Sequence, residues 1–227
     1  MSVRLGISVE GQTEERFVKD LLAPHLATFG VYAVPVVVAT SRSASGKKAK
    51  GGGITLDRVT KELERLLRGY PDGIVTSLYD FYGFEGKRVG ETVTGLEERI
   101  AVRLGAPGNF LPYVQQYEFE GLLLSDSEVV AAYFQAPALA VAVSKAVAAA
   151  GGPELVNDNP STAPSKRLEE WTTTHAPVLL RYWKATKTRH GPQLAARLTL
   201  PVIRAACPRF DRWVRKLEAL SRPVSSG

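Results

Sequence analysis

The residues best suited to chemistry are carboxylates that follow apolar, strand-like runs. Glu10 and Asp80 each come directly after such a run, and a third acidic group, Glu118, Glu120 and Asp126, follows another. Open α/β sheets place their chemistry at the carboxyl ends of their strands, where these runs would end together. Carboxylates held close together repel one another unless a cation lies between them. The pattern therefore predicts a magnesium site.

Magnesium accepts oxygen ligands and bridges protein carboxylates to substrate phosphates. We predict that Glu10, Asp80 and Glu120 bind Mg²⁺ or Mn²⁺, with Glu14 and Glu118 in support. Four of these residues have an ordinary alternative. Glu10 is then a solvated loop residue, Asp80 caps a turn, and Glu118 and Glu120 form a half-exposed strand end.

Strand-like and helix-like segments alternate along the first part of the chain. The expected strands are 3–9, 32–39, 74–79 and 110–116, and the expected helices are 14–26, 56–68 and 93–104. Such alternation predicts an α/β fold with a mostly parallel sheet flanked by helices. If Glu118 and Glu120 continue the last strand, both side chains lie on one of its faces.

The second part of the chain predicts helices rather than strands. We expect an α/β domain over residues 1–135 and a basic helical region over 136–227, packed on or beside it. Proline and glycine should separate short helices there, including at Gly191 and Pro192. Its aromatic residues are expected to be packing anchors; these are Trp171, Trp183, Phe210 and Trp213.

Charge is distributed unevenly. Residues 1–165 hold 16 Lys and Arg against 19 Asp and Glu, whereas residues 166–227 hold 13 against 4. A basic region suits nucleic acid, although lysines and arginines that merely solvate helix faces give the same count. No run approaches the length of a membrane span, and a cytoplasmic protein without membrane contact is expected. The single cysteine, Cys207, excludes an internal disulfide.

Five basic residues are candidates for contact with phosphate. Lys166 and Arg167 lie at an expected helix start, where free backbone donors also favour anions. With Lys187 and Arg189, they are the predicted substrate-binding residues. A lysine near the scissile phosphate would stabilise developing negative charge, and Lys166 and Lys184 are the catalytic candidates. A capped helix with solvated charges is the open alternative.

Two sets of motifs resemble known families. Residues 9–14 and 79–83, Val-Glu-Gly-Gln-Thr-Glu and Tyr-Asp-Phe-Tyr-Gly, resemble the TOPRIM domain, a magnesium-binding module shared by topoisomerases, bacterial primases and OLD-family nucleases. Residues 118–123, 163–168 and 207–213 resemble a prokaryotic family, domain of unknown function four-two-seven-six. The first likeness covers about the first half of the chain, and the second covers nearly all of it.

The TOPRIM likeness implies roles for particular residues. Glu10 matches the glutamate of that module and Asp80 the first aspartate of its Asp-x-Asp motif, while Tyr82 stands in place of the second aspartate. OLD-type nucleases place a further acidic residue four positions after the glutamate, as Glu14 lies here, and an acidic pair after a later strand. Glu118 and Glu120 resemble that pair.

The resemblance implies a TOPRIM-like magnesium-dependent nuclease, associated with an ATPase partner in phage defence. Tyr82 supports an alternative, a catalytically degenerate subunit that binds nucleic acid or docks a partner. A third possibility is hydrolysis of a small phosphate ester, with a loop containing Lys47, Lys48 and Lys50 as its lid.

Overall fold

The computed structural model describes residues 2–38, 54–157 and 161–221. Lys47, Lys48 and Lys50 of the hypothetical lid lie outside this part of the chain. Five strands form one sheet with parallel pairing throughout: β1 Val3–Val9, β2 Val31–Val37, β3 Ile74–Asp80, β4 Phe110–Leu111 and β5 Val114–Gln115. The order is β2-β1-β3-β4, and β5 pairs with the carboxyl end of β3. The predicted α/β fold with a mostly parallel sheet is confirmed.

The two central strands are buried because both faces of the sheet are covered. Leu5 and Ile7 of β1 belong to a cluster on one face, and Val75 and Tyr79 of β3 belong to a cluster on the other. Apolar runs of this kind are typical of parallel strands. Val9 of β1 lies opposite Leu78 of β3, so the two strands end side by side.

Helices from the first half of the chain cover both faces. They are α1 Gln12–Phe17, α2 Ala23–Ala27, α3 Leu56–Gly69 and α4 Val93–Arg103. A π-helical stretch, Val18–Leu22, joins α1 to α2, so the predicted helix over 14–26 is one interrupted helical run. Thr55 and Thr92 cap α3 and α4 with their side-chain oxygens, which satisfy free backbone donors of the first turn.

The rest of the described chain is helical, as predicted. Its α-helices are α5 Ser127–Tyr133, α6 Ala138–Ala150, α7 Pro164–His175, α8 Trp183–Leu198, α9 Leu200–Ala206 and α10 Pro208–Glu218. Short 3₁₀ segments occupy Phe119–Leu124, Pro153–Leu155, Val178–Leu180 and Ala219–Ser221. No helix of the described residues is long and apolar enough to cross a membrane.

Two local predictions were wrong. The expected strand 110–116 is split into β4 and β5 around Pro112, which has no N–H for a sheet ladder. Tyr117 then takes a left-handed backbone conformation with φ of 62°, and Glu120 lies in a 3₁₀ helix instead of a strand. The reversal at Tyr117 ends the strand before either glutamate.

The helix α8 also differs from expectation, because it continues through Gly191 and Pro192. Both residues are buried. A Cβ added at Gly191 would lie 2.8 Å from Cγ2 of Thr13 in α1, so the glycine is what permits this close approach. Packing against α1 therefore outweighs the helix-breaking tendency of the two residues.

Residues from both halves of the chain share the larger hydrophobic cluster. The Trp213 ring of α10 stacks on Tyr113 with 4.4 Å between centroids. Its indole N–H also donates to Oγ1 of Thr76 in β3, at 2.9 Å. Of the four predicted anchors, Trp183, Phe210 and Trp213 are buried, and Trp171 is partly buried against the same cluster.

An ion pair covers the outer edge of β5. The Val114 N–H donates to Oε1 of Glu97 at 2.8 Å, and the Val114 carbonyl accepts from Nε of Arg209 at 3.3 Å. Glu97 and Arg209 also bond to each other. The backbone groups of Val114 that point away from β3 are thus occupied by side chains from α4 and α10.

Candidate functional site

The site lies where β1 and β3 end. Glu10 follows β1 directly, and its carboxylate accepts the backbone N–H of Asp80, the last residue of β3. The Asp80 carboxylate in turn accepts the backbone N–H of Phe119 at 2.7 Å, through Oδ1. Both side chains are partly buried. The sheet register thus brings together the two carboxylates on which the sequence prediction depends.

Glu14 joins them from the first turn of α1. Gly11 has an extended backbone conformation at the start of this helix. The Glu14 carboxylate lies beside Gly11 and accepts the backbone N–H of Glu14 itself. Glu14 is only 7% exposed, which is unusual for a glutamate at the start of a helix. The helix dipole favours negative charge at this position.

The segment after β5 adds two further carboxylates. Glu118 accepts both the backbone N–H and the hydroxyl of Ser165, at 2.8 and 2.9 Å. Glu120 is 2% exposed, and its Oε1 accepts the indole N–H of Trp183 at 3.3 Å and the ammonium of Lys187 at 3.2 Å. Helices α7 and α8 thereby complete a site that begins on the sheet.

Lys187 supplies positive charge to this group of acids. Its ammonium interacts electrostatically with Glu14 and Asp80 as well as with the bonded Glu120, and these charges raise the pKa of Lys187 above its usual range. The same ammonium partly offsets the rise in the pKa of Glu10 and Glu118. Its single positive charge does not neutralise five carboxylates.

Four of these carboxyl groups, Glu10, Glu14, Asp80 and Glu118, have raised pKa values. Burial is the largest cause for Glu10, Glu14, Asp80 and Glu118, and repulsion between neighbouring carboxylates adds to it. The pKa of Glu14 is raised from 4.5 to about 7, and that of Asp80 is raised well above its usual range. Groups that resist ionisation in this way often mark functional sites.

The donor set fits a hard divalent cation, because all five acidic side chains offer oxygen and one ammonium leaves negative charge uncompensated. As they stand, however, no three His, Cys, Asp or Glu side chains within the described residues form a ready-made metal site. An ion would have to draw the carboxylates together. The residues that could hold it are Glu10, Glu14, Asp80, Glu118 and Glu120.

Other predicted residues lie elsewhere. Lys166 and Lys184 have exposed side chains at the starts of α7 and α8. The Arg167 guanidinium donates to the carbonyl of Thr162 at 2.8 Å. Arg189 is exposed, and its charge acts on Tyr133 and His190.

Asp126 has a structural role in this arrangement. It caps α5, accepting the backbone N–H groups of Glu128 and Val129 at 2.9 and 3.0 Å. A carboxylate at an N-cap satisfies free donors of the first turn. Of the third acidic group in the sequence, only Glu118 and Glu120 therefore belong to the site.

Sequence reasoning missed the groups that hold these glutamates. Trp183 was expected to be a packing anchor, and it is buried, but its indole N–H also binds Glu120. The pairing of Ser165 with Glu118 was not foreseen either. The available signals were the serine at a helix start and the spacing of four between Trp183 and Lys187, which places both on one face of α8.

Comparison with known proteins gives one result. The family model of the domain of unknown function DUF4276 matches residues 9–218. No curated protein and no solved structure matches the chain. The matched range includes every carboxylate of the site and Lys187.

Proposed function

Because the chain belongs to the family of the domain of unknown function DUF4276, whose name states no activity, we propose a function from the site itself: magnesium-dependent cleavage of phosphodiester bonds in nucleic acid. The observation that carries the proposal is the gathering of five carboxylates around one ammonium at the strand ends. Such oxygen donors suit Mg²⁺ or Mn²⁺.

Each acidic residue has a proposed role. Glu10, Asp80 and Glu120 would hold the ion, with Glu14 and Glu118 in support. A bound ion of this kind neutralises charge on the phosphate, activates water and stabilises the leaving oxygen. The backbone N–H groups of Asp80 and Phe119 orient the first two carboxylates, so their positions do not depend on the ion alone.

The basic residues would bind the substrate. Lys187 lies beside Glu120 and would stabilise negative charge that develops on the phosphate. The exposed Lys166, Lys184 and Arg189 would contact phosphates further along the strand. The likeness of residues 9–14 and 79–83 to the TOPRIM motifs supports the same reaction class.

The test is a cleavage assay on DNA, RNA and nucleotides with Mg²⁺ or Mn²⁺. We expect Glu10→Gln and Asp80→Asn each to reduce cleavage by about 100-fold or more, because each removes a charged ligand of the ion. Glu128→Gln is the matched control, since Glu128 is an exposed carboxylate in the first turn of α5. It should cleave like the unaltered protein.

Two outcomes would contradict the proposal. Cleavage that survives both Glu10→Gln and Asp80→Asn would reject the site. Binding of nucleic acid without cleavage by the unaltered protein, under every metal condition, would favour the second candidate function.

That second candidate is a non-catalytic subunit that binds nucleic acid or docks a partner protein. It is favoured by Tyr82 in place of a second aspartate and by the lack of a ready-made group of three metal ligands among the described residues. Its binding should weaken steeply with added salt if several phosphates are neutralised. Glu10→Gln would then leave binding unchanged.

The resemblance to OLD-family nucleases also supports a biological setting. We propose that the protein acts in the cytoplasm with an ATPase partner, as part of a phage-defence system. Recovery of an ATPase with the tagged protein from its native cells, and loss of phage resistance in Glu10→Gln cells, would be the expected results. Full resistance in those cells would contradict a catalytic role in defence.

A further inference from the structure

One face of α8 is directed at the acidic site. Trp183, Lys187 and Gly191 recur at a spacing of four along this helix, which places them in one row. Trp183 and Lys187 both bond to Oε1 of Glu120, and Gly191 packs against Thr13 at the start of α1. Helix α8 thus contacts Glu120 through Trp183 and α1 through Gly191, and Lys187 lies between these two residues in the row.

The two partners of the ion pair differ in their freedom to move. The Glu120 side chain is 2% exposed, whereas the Lys187 side chain is 41% exposed. Lysine carries its charge at the end of a flexible four-carbon stem. If the pair separates, the ammonium can therefore move toward solvent, while the carboxylate stays buried.

A buried carboxylate without a cation is strongly destabilised. While it is ionised, Glu120 therefore needs a positive partner. Two cations on the same carboxylate oxygen would repel each other, so the ammonium and a metal ion compete for Oε1. One cation can therefore replace the other at this oxygen.

We propose that Lys187 is a resident counter-ion, which a divalent cation displaces from Glu120 and thereby releases to bind the phosphate of the substrate. This inference rests on the proposed function, because it takes the carboxylates to be the metal ligands. The released ammonium stays beside the site and carries a charge that matches a phosphate oxygen. Metal binding and substrate binding are then coupled through one side chain.

The first test measures Mn²⁺ binding by electron paramagnetic resonance, without substrate. Lys187→Met should bind Mn²⁺ roughly tenfold more tightly or better, because the ion no longer competes with an ammonium. Lys145→Met is the control, since it removes one positive charge from an exposed position on α6. Lys187→Arg keeps the competing charge, and its Mn²⁺ affinity should stay near that of the unaltered protein.

The second test uses the unaltered protein, so it does not depend on the folding of a variant. Nitrogen-15 NMR should show the Lys187 ammonium as a slowly exchanging signal in metal-free protein, because Glu120 holds it. Saturation with Mg²⁺ should abolish that signal. A signal that persists unchanged in Mg²⁺-saturated protein would overturn the inference.

The outcomes separate this inference from the proposed function. If the unaltered protein binds Mn²⁺, Glu10→Gln does not, and Lys187→Met binds no more tightly, the counter-ion role is wrong and the metal site stands. If neither the unaltered protein nor Lys187→Met binds Mn²⁺, both the metal site and the counter-ion role of Lys187 are rejected.

Discussion

Glu14 shows how far a single side chain of this site departs from its usual state. Burial, together with the charges of Glu10 and Glu120, raises its pKa to about 7. Between about pH 4.5 and 7 the metal-free protein thus holds a proton on this carboxylate that the unfolded chain has already released. Folding and proton binding are linked at this residue.

This linkage has a definite sign. A carboxyl whose pKa is raised from 4.5 to about 7 on folding contributes stability below pH 4.5, and that stability is lost as the pH rises through about 7. In EDTA, we expect this residue to lower the free energy of unfolding by on the order of 3 kcal/mol over that range. Glu14→Gln should flatten the decline, as measured by urea unfolding at several pH values.

Glu128→Gln is again the control, because Glu128 occupies the first turn of a helix but is exposed. Its pH profile should follow that of the unaltered protein. An unchanged slope in Glu14→Gln would show that Glu14 is not the group that holds the proton.

At this scale the sequence predicts the acids but not their partners. Glu10 and Asp80 could be predicted because each directly follows an apolar run that becomes a neighbouring strand. Lys187 was assigned to the substrate, and its bond to Glu120 depends on how α8 packs. No local pattern in the chain encodes that packing.

At the scale of elements, the contact between α1 and α8 decides where the ammonium lies. Thr13 and Gly191 meet so closely that no side chain larger than hydrogen fits at the second position. The sequence suggested that Gly191 and Pro192 would end a helix. The structure instead has both residues inside α8, with Gly191 at the contact with Thr13.

Gly191→Ala tests this contact. The added methyl group would meet Cγ2 of Thr13 at 2.8 Å, so the helices must separate. We expect a loss of about 1–3 kcal/mol in the free energy of unfolding, as is typical of overpacking. Thermal or urea unfolding would measure it.

The double variant Thr13→Ser with Gly191→Ala is the matched rescue, because serine lacks the methyl group that clashes. It should recover most of the loss. Gly69→Ala provides a second control at the end of α3, where an added Cβ meets no atom within 4 Å. Equal losses in Gly191→Ala and Gly69→Ala would contradict the packing explanation.

The strands also differ in how well the sequence predicts them. β1 and β3 were predicted closely because each is a short apolar run with glycine near an end, which is typical of a buried strand. The run 110–116 was not, since it is divided at Pro112, and Tyr117 takes a left-handed backbone conformation directly after it. Glu118 and Glu120 follow this left-handed residue and lie near the ends of β1 and β3.

For the whole molecule, the shared hydrophobic cluster links residues from both halves of the chain. Trp213 of α10 is central to this link, since it stacks on Tyr113 and bonds to Thr76. The structure therefore predicts that the sheet and the C-terminal helices unfold together. The division into domains 1–135 and 136–227 stays a prediction. The exchange experiment on Trp213→Ala tests whether the two parts unfold together or independently.

Trp213→Ala should lower the free energy of unfolding by about 3–5 kcal/mol, because it removes a large buried ring and a hydrogen bond. Hydrogen exchange should accelerate equally at Thr76 in β3 and at Val214 in α10. Leu179→Ala, at a position that is 89% exposed, should change stability by less than about 0.5 kcal/mol. Faster exchange confined to α10 would instead indicate two independent units.

The ion pair on β5 has a consequence for assembly. A neighbouring polypeptide can extend a sheet only where backbone N–H and carbonyl groups are open to it. Glu97 and Arg209 already bind those groups at Val114. An incoming strand therefore cannot form main-chain hydrogen bonds with Val114, and this part of β5 does not extend the sheet.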